Sequence, residues 1–301
     1  MEIKYFTNDK IDKRKWDDCI TNANNGLIYA YSFYLDTMAK NWDALILNDY
    51  EAVMPLTWNK KYGIRYLYQP PFTQQLGIFS KQVITENLLS QFVDLVKKRF
   101  RFAEIFLNST EPIANTNPCS NFILPINHPY QTIQANYKPT FLKSLKHSKK
   151  SLPIYISSGN YIEAIDVYVK EYGKRMPHLH DEDYKALSLL CGTAFQNKIL
   201  IIRKVVSSEN KLLAIALLLK DKKRLYNIMS VVPKKSRAAE ANYFLYDELI
   251  KEFSGEIEIL DFEGSDIDGI ASFYKKFGAI DQPYYFFRYN NLPWPLKYLK
   301  Q

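Results

Sequence analysis

The sequence predicts a mixed α/β protein built as two units of similar element order. Three observations carry that prediction. Strand-like runs recur between segments whose apolar residues repeat at helical spacing. The order strand, two helices, three strands, helix, strand occurs within residues 1–126 and again within residues 153–289. A chain of 301 residues is also long enough for two ordinary cores.

The elements follow in order. Met1–Phe6 alternates and opens the first unit as a strand. Ile11, Trp16 and Ile20 mark a helix over Asp9–Ile20, and Asn22–Gly26 is a loop. Tyr31–Lys40 reads as a second helix with Ser32 as its cap. Ala44–Leu47 and Glu51–Trp58 form a hairpin about Asn48-Asp49, and Ile64–Tyr68 is a further strand. Gln69–Gly77 carries two prolines, three glutamines and a glycine, the composition of an irregular but ordered loop. Thr85–Arg101 is an amphipathic helix with Leu88, Leu89, Phe92, Leu95 and Val96 inward. Ala103–Leu107 and Asn121–Ile126 are strands, and the polar, proline-containing Ser109–Ser120 between them is a loop.

A basic segment, Tyr130–Ser151, becomes helical from about Thr140 and leads into the second unit. Pro153–Ser157 is a strand, and Ile162–Lys174 and Asp181–Gln196 are helices, the latter capped by Asp181. Ile199–Val206, Lys211–Lys220 and Arg224–Val231 are three consecutive strands, followed by a helix over Ala238–Phe253. Glu256–Phe262 is a strand with one buried face, and Gly264-Ser265-Asp266 is turn chemistry, with Ser265 or Asp266 as a cap. Ile267, Ile270, Phe273, Tyr274 and Phe277 recur at helical spacing, Gly278 stops that helix, and Tyr284–Tyr289 is a final aromatic strand. The domain boundary is expected between residues 135 and 136.

Composition narrows the function. Hydrophobic residues at 47% and charged residues at 24% are an ordinary globular balance. A net charge of +8 favours anionic partners such as phosphate-bearing cofactors, nucleotides or tRNA. DNA is not expected as a partner, and a nucleic-acid binder by charge alone would show steep salt dependence of affinity. Cys19, Cys119 and Cys191 are far apart and odd in number, which points to a reducing, cytoplasmic setting. No run of about 20 apolar residues is present, so membrane insertion is not expected. His178 and His180 with Asp181 space two imidazoles beside a carboxylate, but no third and fourth ligand is identifiable and no metal is expected. There is no Walker A loop, G-x-G-x-x-G or G-x-S-x-G elbow.

DFEGS (261–265), Gly269-Ile270 and FYKKFGA (273–279) resemble the C-terminal signature of the GNAT superfamily of acyltransferases, and within it the double-domain branch that includes the Fem peptidoglycan aminoacyl transferases. That branch carries a lysine after the first phenylalanine of the F-x-x-x-F-G helix; here the position is Tyr274. The stretch Tyr137–Ser148 resembles the basic helix that opens the second Fem unit, with Tyr137, Lys143, Leu145 and Lys146 in place. The resemblance implies two tandem N-acetyltransferase-like domains, 1–135 and 136–301, and acyl or aminoacyl transfer from an activated ester or thioester to an amine in a cleft between the halves. It implies an acyl-CoA or an aminoacyl-tRNA as donor and a small-molecule or peptidoglycan-precursor-like acceptor.

Candidate site residues follow from the carboxyl ends of the second unit's strands, where open α/β sheets take ligands. Glu263 is the candidate for moving a proton, with the hydroxyls of Tyr226 and Tyr274 beside it. In the GNAT fold the cofactor's pyrophosphate sits at a helix N-terminus after the fourth strand; Ser230, Lys235 and Arg237 occupy that stretch here. The coenzyme A motif needs a glycine where this chain has Glu240, whose charge and bulk oppose a phosphate. Tyr68, Gln69, Lys143, Lys146 and Asp261 are expected to contact substrate. The competing expectation is a catalytically silent ligand- or protein-binding module on the same scaffold.

Overall fold

The computed structural model describes residues 2–109, 116–264 and 267–298. The chain divides into two compact units, one formed by Met1–Cys119 with Pro283–Gln301, the other by Ser120–Gln282.

In the first unit, strand β1 (Ile3–Phe6) is followed by helices α1 (Lys13–Asn22) and α2 (Ser32–Met38). Then come β2 (Trp42–Leu47), β3 (Ala52–Lys61), β4 (Ile64–Tyr68), the short β5 (Phe79–Ser80), α3 (Glu86–Arg99), β6 (Phe102–Leu107) and β7 (Thr116–Cys119). The second unit starts with β8 (Asn121–Pro125), α4 (Tyr130–Gln134) and α5 (Pro139–Ser148). It continues with β9 (Ile154–Ser157), α6 (Tyr161–Tyr172), α7 (Asp181–Gln196), β10 (Leu200–Val206), β11 (Leu212–Lys220) and β12 (Arg224–Val231). It ends with α8 (Ala241–Phe253), β13 (Ile259–Gly264), α9 (Asp268–Lys275) and β14 (Ile280–Asp281), and β15 (Tyr284–Asn290) returns to the first unit.

The two sheets repeat one topology. The first runs β1-β2-β3-β4-β6-β15-β7 and the second, read from its far edge, β9-β10-β11-β12-β13-β8-β14. Each is antiparallel except for one parallel pair at the same place, β4 with β6 and β12 with β13. The duplicated architecture is therefore real. The boundary at 135/136 is displaced because the sixth strand of each sheet is exchanged: β8 lies before that boundary yet pairs with β13, and β15 lies in the second half yet pairs with β6. Local alternation marks a strand; it does not say which sheet supplies the partner.

Smaller differences have simple causes. The expected loop at 109–120 contains β7, which pairs with β15 at a sheet edge, where Pro118 needs no second ladder partner. The caps shift by one residue: Tyr31 and His180 stand at the N-caps where Ser32 and Asp181 were expected. Ser265 and Asp266 lie outside the described residues. In the first core α3 packs Phe92 and Val96 against Leu45, Leu56, Leu67 and Ile105. In the second, Phe141, Tyr246, Phe262 and Phe277 pack with Leu218 and Leu249.

Candidate functional site

The parallel pairing of β12 with β13 runs only from Arg224/Ile259 to Tyr226/Asp261, although both strands go on. Each is irregular just past that point. On β12 the register against β11 shifts between Leu217 and Leu219, so Asn227 and Ile228 oppose a single residue. On β13 the register against β8 shifts between Asp261 and Gly264, so Phe262 and Glu263 do the same. Two facing bulges bend the strands apart, and backbone groups of β12 on that side lose their ladder partners. Glu263 completes its bulge in the left-handed region at φ 61°, a conformation that costs a non-glycine residue of order 1–3 kcal/mol.

The splay opens a cleft of about 800 Å³ lined by second-unit residues alone. β12 contributes Asn227–Ser230, β13 contributes Phe262–Gly264, and Tyr168, Tyr172, Tyr246 and Tyr274 supply hydroxyls from the surrounding helices. Among the described residues, Arg175, Arg237 and Lys276 are its cations and Glu263 its one carboxylate. Tyr274 stacks on Phe262 at 4.5 Å and 20°. Two polar atoms in the wall, Asn227 Oδ1 and the Tyr246 hydroxyl, are buried with no hydrogen-bond partner among the described residues. Ser230 and Asn227 lie close enough to ease the ionisation of Tyr246, yet neither contact reaches hydrogen-bond geometry.

Burial keeps these hydroxyls protonated. It raises Tyr246 and Tyr274 above the ordinary tyrosine range, with the Glu263 charge adding to both. Burial also pushes Tyr168 up to about 12, helped by Tyr184, Tyr172 and Glu263. At neutral pH all three are therefore hydrogen-bond donors arranged within electrostatic reach of one carboxylate.

Of the residues singled out by sequence, Glu263, Tyr274, Ser230 and Arg237 line this cleft. Tyr226 and Asp261 do not. Both are fully buried: the Tyr226 hydroxyl donates to Asp221 Oδ2 at 2.7 Å, and Asp261 Oδ2 pairs with Arg224 Nη1 at 2.9 Å. Asp261 Oδ1 also accepts from the Glu263 amide at 2.9 Å, so it holds the bulge in place. Sequence parity puts Asp261 and Glu263 on one face; the bulge between them breaks that parity. Lys235, Lys143 and Lys146 are exposed and away from the cleft lining. Glu240 sits at φ 49° in place of the glycine, and its carboxylate lies 3.4 Å from His147 Nδ1 at the start of α8. Asn227, Tyr168, Tyr172 and Tyr246 were missed, because a tyrosine on the inner face of a helix reads as packing.

Tyr68 and Gln69 belong to the first unit and are used internally. The Tyr68 hydroxyl accepts from the Lys40 amide at 2.8 Å. Gln69 Nε2 donates to the Thr73 carbonyl at 2.8 Å while its Oε1 accepts from the Phe106 amide at 3.0 Å. They show why the first unit has no matching splay. There β4 and β6 also part after two residue pairs, but the 69–78 loop fills the gap. Leu76 bridges to Leu107, donating to the Phe106 carbonyl at 2.8 Å and accepting from the Asn108 amide at 2.6 Å. A smaller first-unit cavity of about 240 Å³, with Met54, Ile78, Leu89 and Val93 among its walls, has Glu86 as its one charged residue among the described ones. Among the described residues no group of three or more His, Cys, Asp or Glu is placed to hold a metal, and no helix is long and apolar enough to cross a membrane.

No family model matches the chain, and no curated protein matches it in sequence. Solved structures do match over nearly the whole length. FemX aligns over 100% of both chains with a TM-score of 0.67 at 13% identity. A conserved protein of unknown function from Bacteroides thetaiotaomicron aligns over 95% of this chain and 99% of its own, with a TM-score of 0.60 at 9% identity. A tandem GNAT protein from the clavulanic acid biosynthesis pathway aligns over 95% and 98%, with a TM-score of 0.52 at 12% identity. At such identities the likeness is one of fold, and the chain carries the double-domain GNAT fold of the Fem type.

Proposed function

We propose that the protein is an acyl or aminoacyl transferase that works in the second unit's cleft. The observation that carries this reading is the pair of bulges that part β12 from β13 and leave Asn227 Oδ1 and the Tyr246 hydroxyl buried without partners. Leaving a buried polar atom unpaired costs about 1–3 kcal/mol. The Tyr246 hydroxyl at the wall of an open cleft, beside unladdered backbone amides, suits a ligand carbonyl, while Asn227 Oδ1, an acceptor, suits a ligand N–H such as that of the amine. An amine nitrogen attacks that carbonyl carbon, the developing oxyanion takes hydrogen bonds from cleft donors, and Glu263 accepts the proton the amine loses. The leaving oxygen or sulfur departs with the donor's carrier.

The donor is better read as an aminoacyl ester on tRNA than as acyl-CoA. An anion at the N-terminus of α8 would face Glu240, a carboxylate built into the place where a pyrophosphate would settle. Arg237 and Arg175, which line the cleft instead, suit the phosphates of a tRNA terminus. A small amine or a peptidoglycan-precursor-like peptide is the acceptor.

A silent binding module is the second reading, favoured because the cleft lining, among the described residues, holds one carboxylate and no histidine. One experiment separates the two. Aminoacyl-tRNA, acyl-CoA and peptidoglycan-precursor panels are screened by thermal shift and then by mass spectrometry for amide product. Transfer that Glu263→Gln reduces about 100-fold or more, with unchanged melting, supports catalysis. Ligand stabilisation with no product in any combination overturns it in favour of the binding module.

A further inference from the structure

The first unit carries a surface that none of this chemistry uses. The end of the β3–β4 hairpin, the start of β6 and the segment after β15 meet around a groove of about 270 Å³ lined by Lys61, Tyr62, Ile64, Tyr66, Phe102, Leu292 and Leu296. The backbone joins them too: the Asn291 amide donates to the Arg101 carbonyl at 2.7 Å, and Asn290 Nδ2 donates to the Lys297 carbonyl at 3.2 Å. Large apolar side chains on these segments stand in solvent. Trp294 is 80% exposed, Tyr62 78% and Tyr298 61%. Scattered exposed apolar residues need no explanation, but three on adjoining segments beside an aliphatic-floored groove do.

Charge says what covers them. Residues 59–66, 99–103 and 289–298 contain Lys60, Lys61, Arg65, Arg99, Arg101 and Lys297 and not one Asp or Glu. All six cations are exposed, but Arg65 and Arg99 stack on the rings of Trp58 and Tyr5, which leaves Lys60, Lys61, Arg101 and Lys297 as the cations beside the groove that meet a partner. A partner with negative charge and an apolar interior just beneath fits this combination, with tryptophan and tyrosine at the boundary between the two. We infer that this first-unit surface, Tyr62, Trp294, Tyr298 and the lysines beside them, docks the protein on an anionic lipid bilayer. Trp294, Tyr62 and Leu296 enter the headgroup region while Lys60, Lys61, Arg101 and Lys297 face the lipid phosphates. Such binding needs no spanning helix. A single-stranded RNA would also meet cations and rings, but Ile64, Leu292 and Leu296 give bases no stacking faces, so the lipid surface is the better match. The inference stands apart from the cleft in the second unit and holds whether or not that cleft transfers acyl groups.

The full-length protein is sedimented with vesicles of phosphatidylcholine alone and of phosphatidylcholine with phosphatidylglycerol. We expect binding to the second kind only, weakening as salt rises. Lys60→Gln with Lys61→Gln should weaken it roughly 30-fold, and Trp294→Ala roughly tenfold, while Trp294→Phe keeps most of it. Brominated lipids should quench tryptophan emission in the wild type and much less in Trp294→Phe. The wild-type quenching needs no variant, so the inference can fail even if a variant misfolds. It is overturned by no phosphatidylglycerol-dependent sedimentation, or by vesicle binding that Trp294→Ala leaves unchanged. Mixed tRNA that binds through Trp294 while vesicles do not would likewise overturn it and assign the surface to RNA.

Discussion

Replacing Tyr246 by phenylalanine should stabilise the protein while damaging its site. The ring is 1% exposed and packs against Phe262, Phe273 and Phe277 at centroid distances of 5.4, 5.8 and 5.8 Å, contacts a phenylalanine keeps. What the substitution removes is a buried hydroxyl with no hydrogen-bond partner among the described residues. Burying such a group unpaired costs about 1–3 kcal/mol, so removing it should return about 1 kcal/mol at the low end of that range. For a chain of this size that is a rise in Tm of roughly 2–4 °C, measurable by calorimetry or urea titration. The same variant should lose affinity for whatever ligand satisfies the hydroxyl, read as a smaller ligand-induced thermal shift. A loss of about 1 kcal/mol in the apo variant would refute the reasoning, because it would mean that the fold itself already uses this hydroxyl.

Three further outcomes are expected. Gly77→Ala places a Cβ 2.4 Å from Asn108 Oδ1 and 3.1 Å from the Asn108 amide at φ +125°, so chemical denaturation should show a loss of about 2–4 kcal/mol. Asp261→Ala leaves the Arg224 guanidinium without its ion-pair partner in a largely buried position and should cost about 3–5 kcal/mol, whereas a neutral role for the pair would show as less than about 1. For Glu252, burial raises the carboxyl, but hydrogen bonds from Arg203 and Tyr155 outweigh it and hold the group below its ordinary 4.5. A carboxyl depressed in the folded state contributes stability above its unfolded value and loses it as pH falls through the folded one. Acid unfolding below pH 4.5 should therefore be shallower in Glu252→Gln than in the wild type.

Periodicity carried most of the fold. The helices over residues 161–172 and 181–196 and the three strands from 200 to 231 are long enough for a period to show. The two-residue strands β5 and β14 are too short to have one. Sites were harder for a different reason. Ser230, Glu263 and Arg237, which line the cleft, were legible because they lie at the carboxyl end of the sheet or on the loop after it. Strand parity, which assumes a regular ladder, puts Asp261 on one face with Glu263, and the bulge after Asp261 breaks it. Tyr226, singled out for its place on the strand before the basic loop, is buried against Asp221 instead. Tyr246 was hidden because a partnered and an unpartnered tyrosine look the same in one dimension; only the missing hydrogen bond separates them.

The exchanged strands also bear on how the chain is made. When Leu107 leaves the ribosome, the outer edge of β6 has unpaired backbone groups and lacks β15, whose first residue lies about 180 residues downstream. At synthesis rates of about 5–20 residues per second that edge stays open for roughly 10–35 s. The first sheet closes only after the second half has been made, so nascent chains are sticky for most of translation, and a stop codon ahead of Tyr284 yields an amino-terminal unit with an unsealed flank.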